Sequence, residues 1–189
     1  MRVIAGTARG VRLRVPRGMK VRPTSARVRT SLFSILGERV EGARTLDLFA
    51  GSGALGIEAL SRGAAFCCFV ENFPAALAAL NQNLERTALA DRALVLRADA
   101  FRALPRLNDH GPFDLVFLDP PYRHLKEGNR LAALLAGLGG PGHLSQGALV
   151  VVQHDSRVAV PARTGRLRRN DVRVYGNTTI TFLAAEPTV

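Results

Sequence analysis

The chain has 189 residues, of which 47% are hydrophobic, and it carries a formal net charge of +11. This length suffices for a sizeable core but excludes two large domains, so we expect one globular domain with a small appendage. Apolar runs stay below the roughly 18 residues that a membrane span needs, and the N-terminus lacks a signal-peptide pattern. The sequence therefore predicts a soluble, cytoplasmic protein with no membrane partner.

The positive charge is concentrated at the N-terminus. Residues 1–40 contain ten basic residues and one acidic residue, so they carry +9 of the net +11. Positive charge this concentrated is typical of a surface that binds a polyanion, most often nucleic acid. The alternative is a solvated face in a chain that prefers arginine, since it has 24 Arg and 2 Lys. That preference explains which cation is used but not its concentration at one end.

The N-terminal segment predicts a short hairpin followed by a helix. Thr24 or Ser25 can cap the helix at its N-terminus, and Gly42 ends it. The predicted elements are strands at 2–6 and 11–15, joined by a turn at 7–10, and a helix at 22–40. The apolar stripe of that helix comprises Val28, Leu32, Phe33, Ile35 and Leu36.

Beyond the N-terminal segment, strands and helices alternate. The predicted strands lie at 45–49, 65–71, 93–99, 113–119 and 147–154. The predicted helices lie at 54–63, 74–89, 100–107 and 129–138. The last stretch predicts a closing antiparallel hairpin that turns at Tyr175, Gly176 and Asn177. Together these elements predict an α/β fold with a doubly wound, seven-stranded, mostly parallel sheet and a small basic N-terminal extension.

Acidic residues lie at the carboxyl ends of four predicted strands. They are Asp47, Glu71, Asp99 and Asp119. A single acid at such a position is usually a cap or a turn former. In an open parallel sheet, however, ligands bind beyond the carboxyl ends of the strands, so four acids along one edge indicate a binding site.

The loop after the first of these strands has the pattern G-x-G-x-x-G. Gly51 and Gly53 allow the backbone to approach a ligand closely, and Glu71, 20 residues after Gly51, can accept hydrogen bonds from both hydroxyls of a ribose. These features fit a nicotinamide cofactor and S-adenosylmethionine equally well. Asp47 favours the second, because a carboxylate can pair with the ammonium group of S-adenosylmethionine and offers nothing to a pyrophosphate.

The stretch F-L-D-P-P-Y, residues 117–122, indicates the chemistry. Two consecutive prolines donate no backbone N–H and hold the chain stiffly extended, so this segment is rich in acceptors. Asp119 and the carbonyl of Pro120 can each accept a hydrogen from an exocyclic amino group, and Tyr122 offers a flat face on which a base can stack. The segment therefore predicts a site for a planar amino nucleophile that attacks an electrophilic methyl group.

These residues resemble a known family. The stretches L-D-L-F-A-G-S-G-A-L-G-I-E-A-L and L-D-P-P-Y are similar to the cofactor loop and catalytic tetrapeptide of S-adenosylmethionine-dependent methyltransferases that modify amino groups of bases. The N-terminal R-V-I-A-G-T-A-R-G-V-R-L and V-R-P-T-S-A-R-V-R-T-S-L-F-S-I-L, with the late Y-G-N-T-T-I-T-F-L, narrow the resemblance to bacterial small-subunit ribosomal RNA guanine-N2 methyltransferases, the RsmD-type family. The resemblance covers nearly the whole chain.

The resemblance implies a Rossmann-like class I methyltransferase domain at 41–189 and an RNA-binding extension at 1–40. It assigns roles to residues as follows. The catalytic element would be Asp119, Pro120, Pro121 and Tyr122. The residues that bind S-adenosylmethionine would be Arg22, Thr24, Asp47, Phe49, Gly51, Ser52, Gly53, Glu71, Asn72, Asp99, Ala100 and Phe101. The positive charge of the extension, rather than the resemblance, predicts RNA contacts from Arg9, Arg12, Arg14, Arg27 and Arg29.

The substrate implied is guanine N2 in ribosomal RNA, within an assembled or partly assembled small ribosomal subunit. Two rivals stay open, namely a DNA adenine-N6 methyltransferase with the same tetrapeptide and a non-catalytic RNA-binding assembly factor. Gln153 stands where an acid is expected in relatives, which leaves the roles of Gln153 and His154 open. The adjacent Cys67 and Cys68 are expected in the core. Widely spaced histidines predict no metal site.

Overall fold

The computed structural model describes residues 1–16, 25–121 and 129–187. The chain divides into two compact units, Met1–Ala100 and Phe101–Val189. The helices are α1 (Ala26–Leu36), α2 (Ala54–Ser61), α3 (Pro74–Thr87), α4 (Leu104–Leu107) and α5 (Arg130–Leu138). The strands are β1 (Arg44–Asp47), β2 (Phe66–Glu71), β3 (Ala93–Arg97), β4 (Phe113–Leu118), β5 (Leu144–Asp155), β6 (Arg163–Thr164), β7 (Leu167–Tyr175) and β8 (Thr178–Ala185). Within the described ranges, no helix is both long enough and apolar enough to cross a membrane.

The first unit contains three parallel strands in the order β3-β2-β1. Helices α2 and α3 provide the crossovers that parallel strands require. The central strand β2 is buried from Cys67 to Val70, which explains its continuous apolar run. Both cysteines are core residues as expected, and burial raises the pKa of Cys68 to about 12, so its thiol is unreactive.

Helix α2 packs against β2 through a glycine. A Cβ at Gly56 would meet the ring of Phe69 and, at 2.6 Å, the Sγ of Cys67. The third glycine of the G-x-G-x-x-G pattern is therefore a packing residue, which permits close contact between helix and strand. This contact holds the N-terminus of α2 at the carboxyl end of the sheet.

The basic extension docks onto α2. Val3, Ala8 and Leu13 are buried at 4% exposure or less, and the arginines between them are exposed. The expected hairpin is reduced to one antiparallel bridge, between Arg2 and Arg12. Backbone hydrogen bonds accompany this bridge, from Val3 N–H to the carbonyl of Val11, from Gly10 N–H to that of Val3 and from Leu13 N–H to that of Met1. Helix α2 also orders the extension, because side chains of that helix accept hydrogen bonds from the segment's backbone N–H groups.

Helix α1 begins as expected and ends early. The Oγ of Ser25 accepts a hydrogen bond from the N–H of Val28, which caps the first turn. Gly37, at φ +52°, ends the helix, and a 3₁₀ turn follows; the predicted end at Gly42 was therefore wrong. Of the predicted apolar stripe, only Ile35 is exposed.

The second unit contains five strands in the order β4-β5-β8-β7-β6. Strand β5 is parallel to β4 and antiparallel to β8, and β7 and β8 form the predicted closing hairpin. The turn of that hairpin includes Gly176 at φ +61°. The α/β class and the mostly parallel core strands are confirmed. The described residues form eight strands where seven were expected, because the two-residue β6 pairs with the start of β7.

Candidate active site

The glycine loop lies between the end of β1 and the start of α2. Gly53 caps α2 at φ +84°, a left-handed conformation that favours glycine. Asp47 is 2% exposed, and its Oδ2 accepts a hydrogen bond of 3.0 Å from the N–H of Gly56. Its negative charge at the N-terminus of α2 is favourable. In this structure Asp47 shapes the loop, and its pairing with a ligand ammonium stays a prediction.

Glu71 connects the end of β2 to the glycine loop. Its Oε2 accepts a hydrogen bond of 2.8 Å from the N–H of Gly51, and its Oε1 accepts from the N–H groups of Asn72 and Phe73, both at 2.8 Å. The carboxylate is half-buried and the next two residues are exposed. The two sequence-predicted residues Gly51 and Glu71 therefore lie side by side at the carboxyl edge of the sheet.

The structure adds two residues to this part of the site that sequence reasoning missed. The ring of Phe73 is 48% exposed directly after the acidic strand end, which is unusual for a side chain of this size. Asn83 of α3 is fully buried, and its Nδ2 donates to the carbonyl of Ser52 at 2.9 Å. The exposed phenylalanine could have been suspected from its place after Glu71, whereas nothing in the sequence singles out Asn83.

Asn83 also binds the basic extension. Its Oδ1 accepts from the N–H of Arg14 at 2.7 Å, and its Nδ2 donates to the carbonyl of Arg14 at 3.0 Å. One amide thus satisfies three backbone groups, in the extension and in the glycine loop. Arg14 of the extension and Ser52 of the glycine loop are therefore held in fixed positions relative to each other.

The remaining predicted cofactor residues follow the strand ends. Phe49 and Ser52 lie in the loop after β1, and Asp99 and Ala100 lie in the turn after β3. Phe101 has one face of its ring covered by the guanidinium of Arg130, 4.1 Å from the ring centroid. Stacking on an adenine is thus a prediction for its other face only.

Asp119 follows the last residue of β4, in the second unit. Leu118 pairs with Val152 of β5, so Asp119 comes next to Gln153 across the two parallel strands. The Nε2 of Gln153 donates a hydrogen bond of 2.9 Å to the Oδ1 of Asp119. Pro120 is buried and Pro121 is half-buried, while Tyr122 lies outside the described residues.

His154 has a structural environment. Its Nε2 lies 2.9 Å from the Oγ1 of Thr181 on β8, and its Nδ1 lies 2.9 Å from the carbonyl of Asp155. Burial lowers the pKa of His154, so the ring is neutral at pH 7. Successive side chains of a strand point to opposite faces, which separates this histidine from Gln153 and the Asp119 carboxylate.

The predicted RNA contacts divide into exposed and buried arginines. Arg9, Arg12, Arg14 and Arg27 are exposed. Arg29 is 1% exposed and its Nη2 donates to the carbonyl of Arg2 at 2.8 Å, so its assignment to the RNA surface was wrong. Helical periodicity turns Arg29 inward, where Glu58 opposes the lowering of its pKa by burial.

Two predicted cofactor residues, Arg22 and Thr24, lie outside the described residues, as does His124. Across residues 1–16, 25–121 and 129–187, no group of three or more His, Cys, Asp or Glu side chains could hold a metal ion.

Comparison with known proteins places this chain in a family. The family model described as conserved hypothetical protein 95 matches residues 1–184. The chain is 40% identical to the Bacillus subtilis protein YlbH over 179 residues, which are 94% of this chain and 95% of that protein. It is 38% identical to ribosomal RNA small subunit methyltransferase D of Escherichia coli over 161 residues, with coverage of 85% and 78%.

The solved structures agree with this placement. The Escherichia coli protein yhhF superposes with a TM-score of 0.84 at 35% identity, covering 98% of both chains. A structure from Thermus thermophilus superposes with a TM-score of 0.81 at 35% identity, covering 99% of both. The chain therefore belongs to the conserved hypothetical protein 95 family, the family of ribosomal RNA small subunit methyltransferase D.

Proposed function

We propose that this protein transfers a methyl group from S-adenosylmethionine to the exocyclic N2 amino group of a guanine in small-subunit ribosomal RNA. The observation that carries the proposal is the Asp119 carboxylate, which begins an acid-Pro-Pro element at the end of β4 and is held there by Gln153. Membership of the methyltransferase D family supports the RNA substrate. We further propose that the substrate is an assembled or partly assembled subunit.

The glycine loop has a donor and acceptor set that fits S-adenosylmethionine. Apart from its chain neighbours, no atom of the described residues lies within 4 Å of the position where a Cβ of Gly51 would stand, so those residues leave the loop backbone there open to a ligand. Glu71, bound to the N–H of the same glycine, supplies acceptors for a ribose diol. When bound, S-adenosylmethionine supplies an electrophilic methyl group on a sulfonium. Exposed Phe73 would contact its adenine.

Asp119 would act on the nucleophile. The lone pair of a guanine amino group is delocalised into the ring, and it becomes available as the nitrogen loses its planarity. A carboxylate that accepts a hydrogen bond from the amino group favours this change, and it stabilises the positive charge that develops on the nitrogen. The Pro120 carbonyl would accept from the second amino hydrogen. Catalysis by this site is then mostly positioning and electrostatics, without a covalent enzyme intermediate.

The exposed arginines of the extension would bind the RNA backbone. Substituting Arg9, Arg12 and Arg14 together by Gln removes three cations while the backbone hydrogen bonds of the segment stay intact. We expect weaker RNA binding and a slope of log affinity against log salt that is flatter by about 0.7 for each phosphate that is no longer neutralised. The measurement is a fluorescence titration with ribosomal RNA at several salt concentrations.

A matched control for this experiment exists in the second unit. Gln substitutions at Arg163, Arg168 and Arg173 remove the same charge from exposed side chains that face Glu186 or Asp171. This control should keep the wild-type slope. If both triple variants lowered the slope equally, binding would depend on net charge and the extension would have no special role.

The two rivals predict different products. A DNA adenine-N6 methyltransferase would label unmethylated DNA and leave RNA unlabelled. An assembly factor would bind the cofactor or the RNA but would transfer no methyl group to RNA or DNA. Transfer of a labelled methyl group from S-adenosylmethionine to ribosomal RNA, but not to DNA, is the result that our proposal requires.

A further inference from the structure

Gln153 is a buried polar residue in an apolar strand. It is 7% exposed, and the three residues before it, Val150 to Val152, are buried at 2% exposure or less. The residue opposite it on β8 is Ile180, which is fully buried. The described side-chain partner of its amide is the Oδ1 of Asp119, at 2.9 Å.

The chemistry of this pair determines how the amide is oriented. An ionised carboxylate can only accept, so the NH₂ group of Gln153 must face Asp119 and the Oε1 must face away. Oε1 is buried and has no hydrogen-bond partner in the described part of the chain. A buried acceptor without a partner costs free energy, so an apolar residue would suit the strand better. The stability of the fold therefore does not account for a glutamine here.

We propose that Gln153 is a positioning residue for methyl transfer. Its amide fixes the orientation of the Asp119 carboxylate and, because the amide is neutral and cannot titrate, it leaves that carboxylate charged. This inference rests on the proposed role of Asp119. It adds a residue outside the acid-Pro-Pro element, 34 positions further along the chain.

The titratable neighbours of Gln153 along β5 have other partners. His154 is bound to Thr181, and the Asp155 carboxylate is paired with Arg157 at 2.8 Å. The position opposite on β8 is apolar. Among the described side chains of β5, Gln153 is the one hydrogen-bonded to the Asp119 carboxylate.

Two substitutions test this role. Gln153→Leu removes the donor and the unpartnered oxygen at similar volume. We expect kcat to fall roughly 10- to 100-fold, as for a misplaced catalytic group, with the KM for RNA and the affinity for S-adenosylhomocysteine unchanged. We also expect the melting temperature to stay equal or to rise, whereas loss of a merely structural residue would lower it.

The pH dependence of kcat for Gln153→Glu distinguishes a positioning role from a purely structural one. Two carboxylates at hydrogen-bond distance share a proton, so the pKa for loss of that shared proton, the second of the pair, is raised. Below it, the protonated Glu donates to Asp119 as the amide does, and above it the two charges repel. The ratio of wild-type to variant kcat should therefore approach one at low pH and increase as the pH rises.

Asp119→Ala, measured alongside, separates the possible failures. If that variant is inactive while Gln153→Leu keeps the wild-type kcat, or if the ratio for Gln153→Glu is flat with pH, the inference about Gln153 is overturned and the proposed function stands. If the wild type transfers no methyl group to RNA, both are overturned.

Discussion

We expect the replacement of Asp119 by Ala to lower kcat for methyl transfer by at least roughly 100-fold, the effect of removing one group that is aimed at a developing charge. The affinity for S-adenosylhomocysteine should stay near the wild-type value, because the loop contacts assigned to the cofactor are those of Gly51 and Glu71. Single-turnover methylation and calorimetric titration measure the two quantities. The kcat of Asp119→Asn should lie between those of the wild type and of Asp119→Ala, because asparagine keeps an acceptor for Gln153 but loses the charge.

Asp109→Ala is the control for this substitution, since Asp109 is an exposed acid in the same unit. It should methylate at the wild-type rate. If Asp119→Ala kept the wild-type turnover, Asp119 would not be the group that orients the nucleophile. A variant that lost cofactor affinity to the same extent would show that Asp119 acts in cofactor binding instead.

We expect the replacement of Gly6 by Ala to detach the basic extension from α2. Gly6 has φ +81°, and its Cβ would overlap the carbonyl of Ser61, a backbone group that cannot move aside. Shifting the segment breaks the hydrogen bonds from Thr7 N–H to that carbonyl and from Ala8 N–H to the Oγ of Ser61. It also removes the N–H groups of residues 4 and 5 from the carboxylate of Glu58, which is fully buried.

The expected loss of unfolding free energy for Gly6→Ala is about 2–4 kcal/mol, because the buried Glu58 carboxylate loses two backbone donors and keeps only Arg62 among its described partners, and because the left-handed backbone is strained. RNA affinity should fall with it, since the arginines of the extension are no longer held in place. Chemical denaturation and RNA titration measure the two effects.

Gly10→Ala is the matched control. Gly10 lies in the same segment at φ +85°, but apart from its chain neighbours no atom of the described ranges lies within 4 Å of its Cβ position. It should lose only the roughly 1–2 kcal/mol of left-handed strain and should keep most of its RNA affinity. Equal effects of the two substitutions would mean that the docking contact with α2 has no role in RNA binding.

Local patterns predicted the elements of this fold well. The apolar runs gave the five parallel strands, the cap at Ser25 gave the start of α1, and Tyr175 to Asn177 gave the closing hairpin. These features depend on residues close in sequence, whose spacing already contains the periodicity of a helix or a strand. The early end of α1 shows the limit, because either Gly37 or Gly42 could have ended the same pattern.

The contacts that build the site could not be read from the sequence. Asn83 binds Arg14 across 69 positions, and Gln153 binds Asp119 across 34. Such pairs depend on strand register and on helix docking, and local sequence periodicity predicts neither. The burial of Arg29 has the same origin, since an arginine next to exposed basic residues gives no sign that it faces the core. The glycine pattern was likewise ambiguous between two cofactors, because both need a backbone that approaches the ligand closely and an acid that binds a ribose.

The most direct test is the identity of the methylated nucleoside. The purified protein is incubated with labelled S-adenosylmethionine and either unmodified small-subunit particles or the RNA stripped from them, and the RNA is digested and analysed by mass spectrometry. We predict N2-methylguanosine, with particles as the better substrate. Label on another atom of guanine, on adenine, or on neither RNA sample would contradict the account.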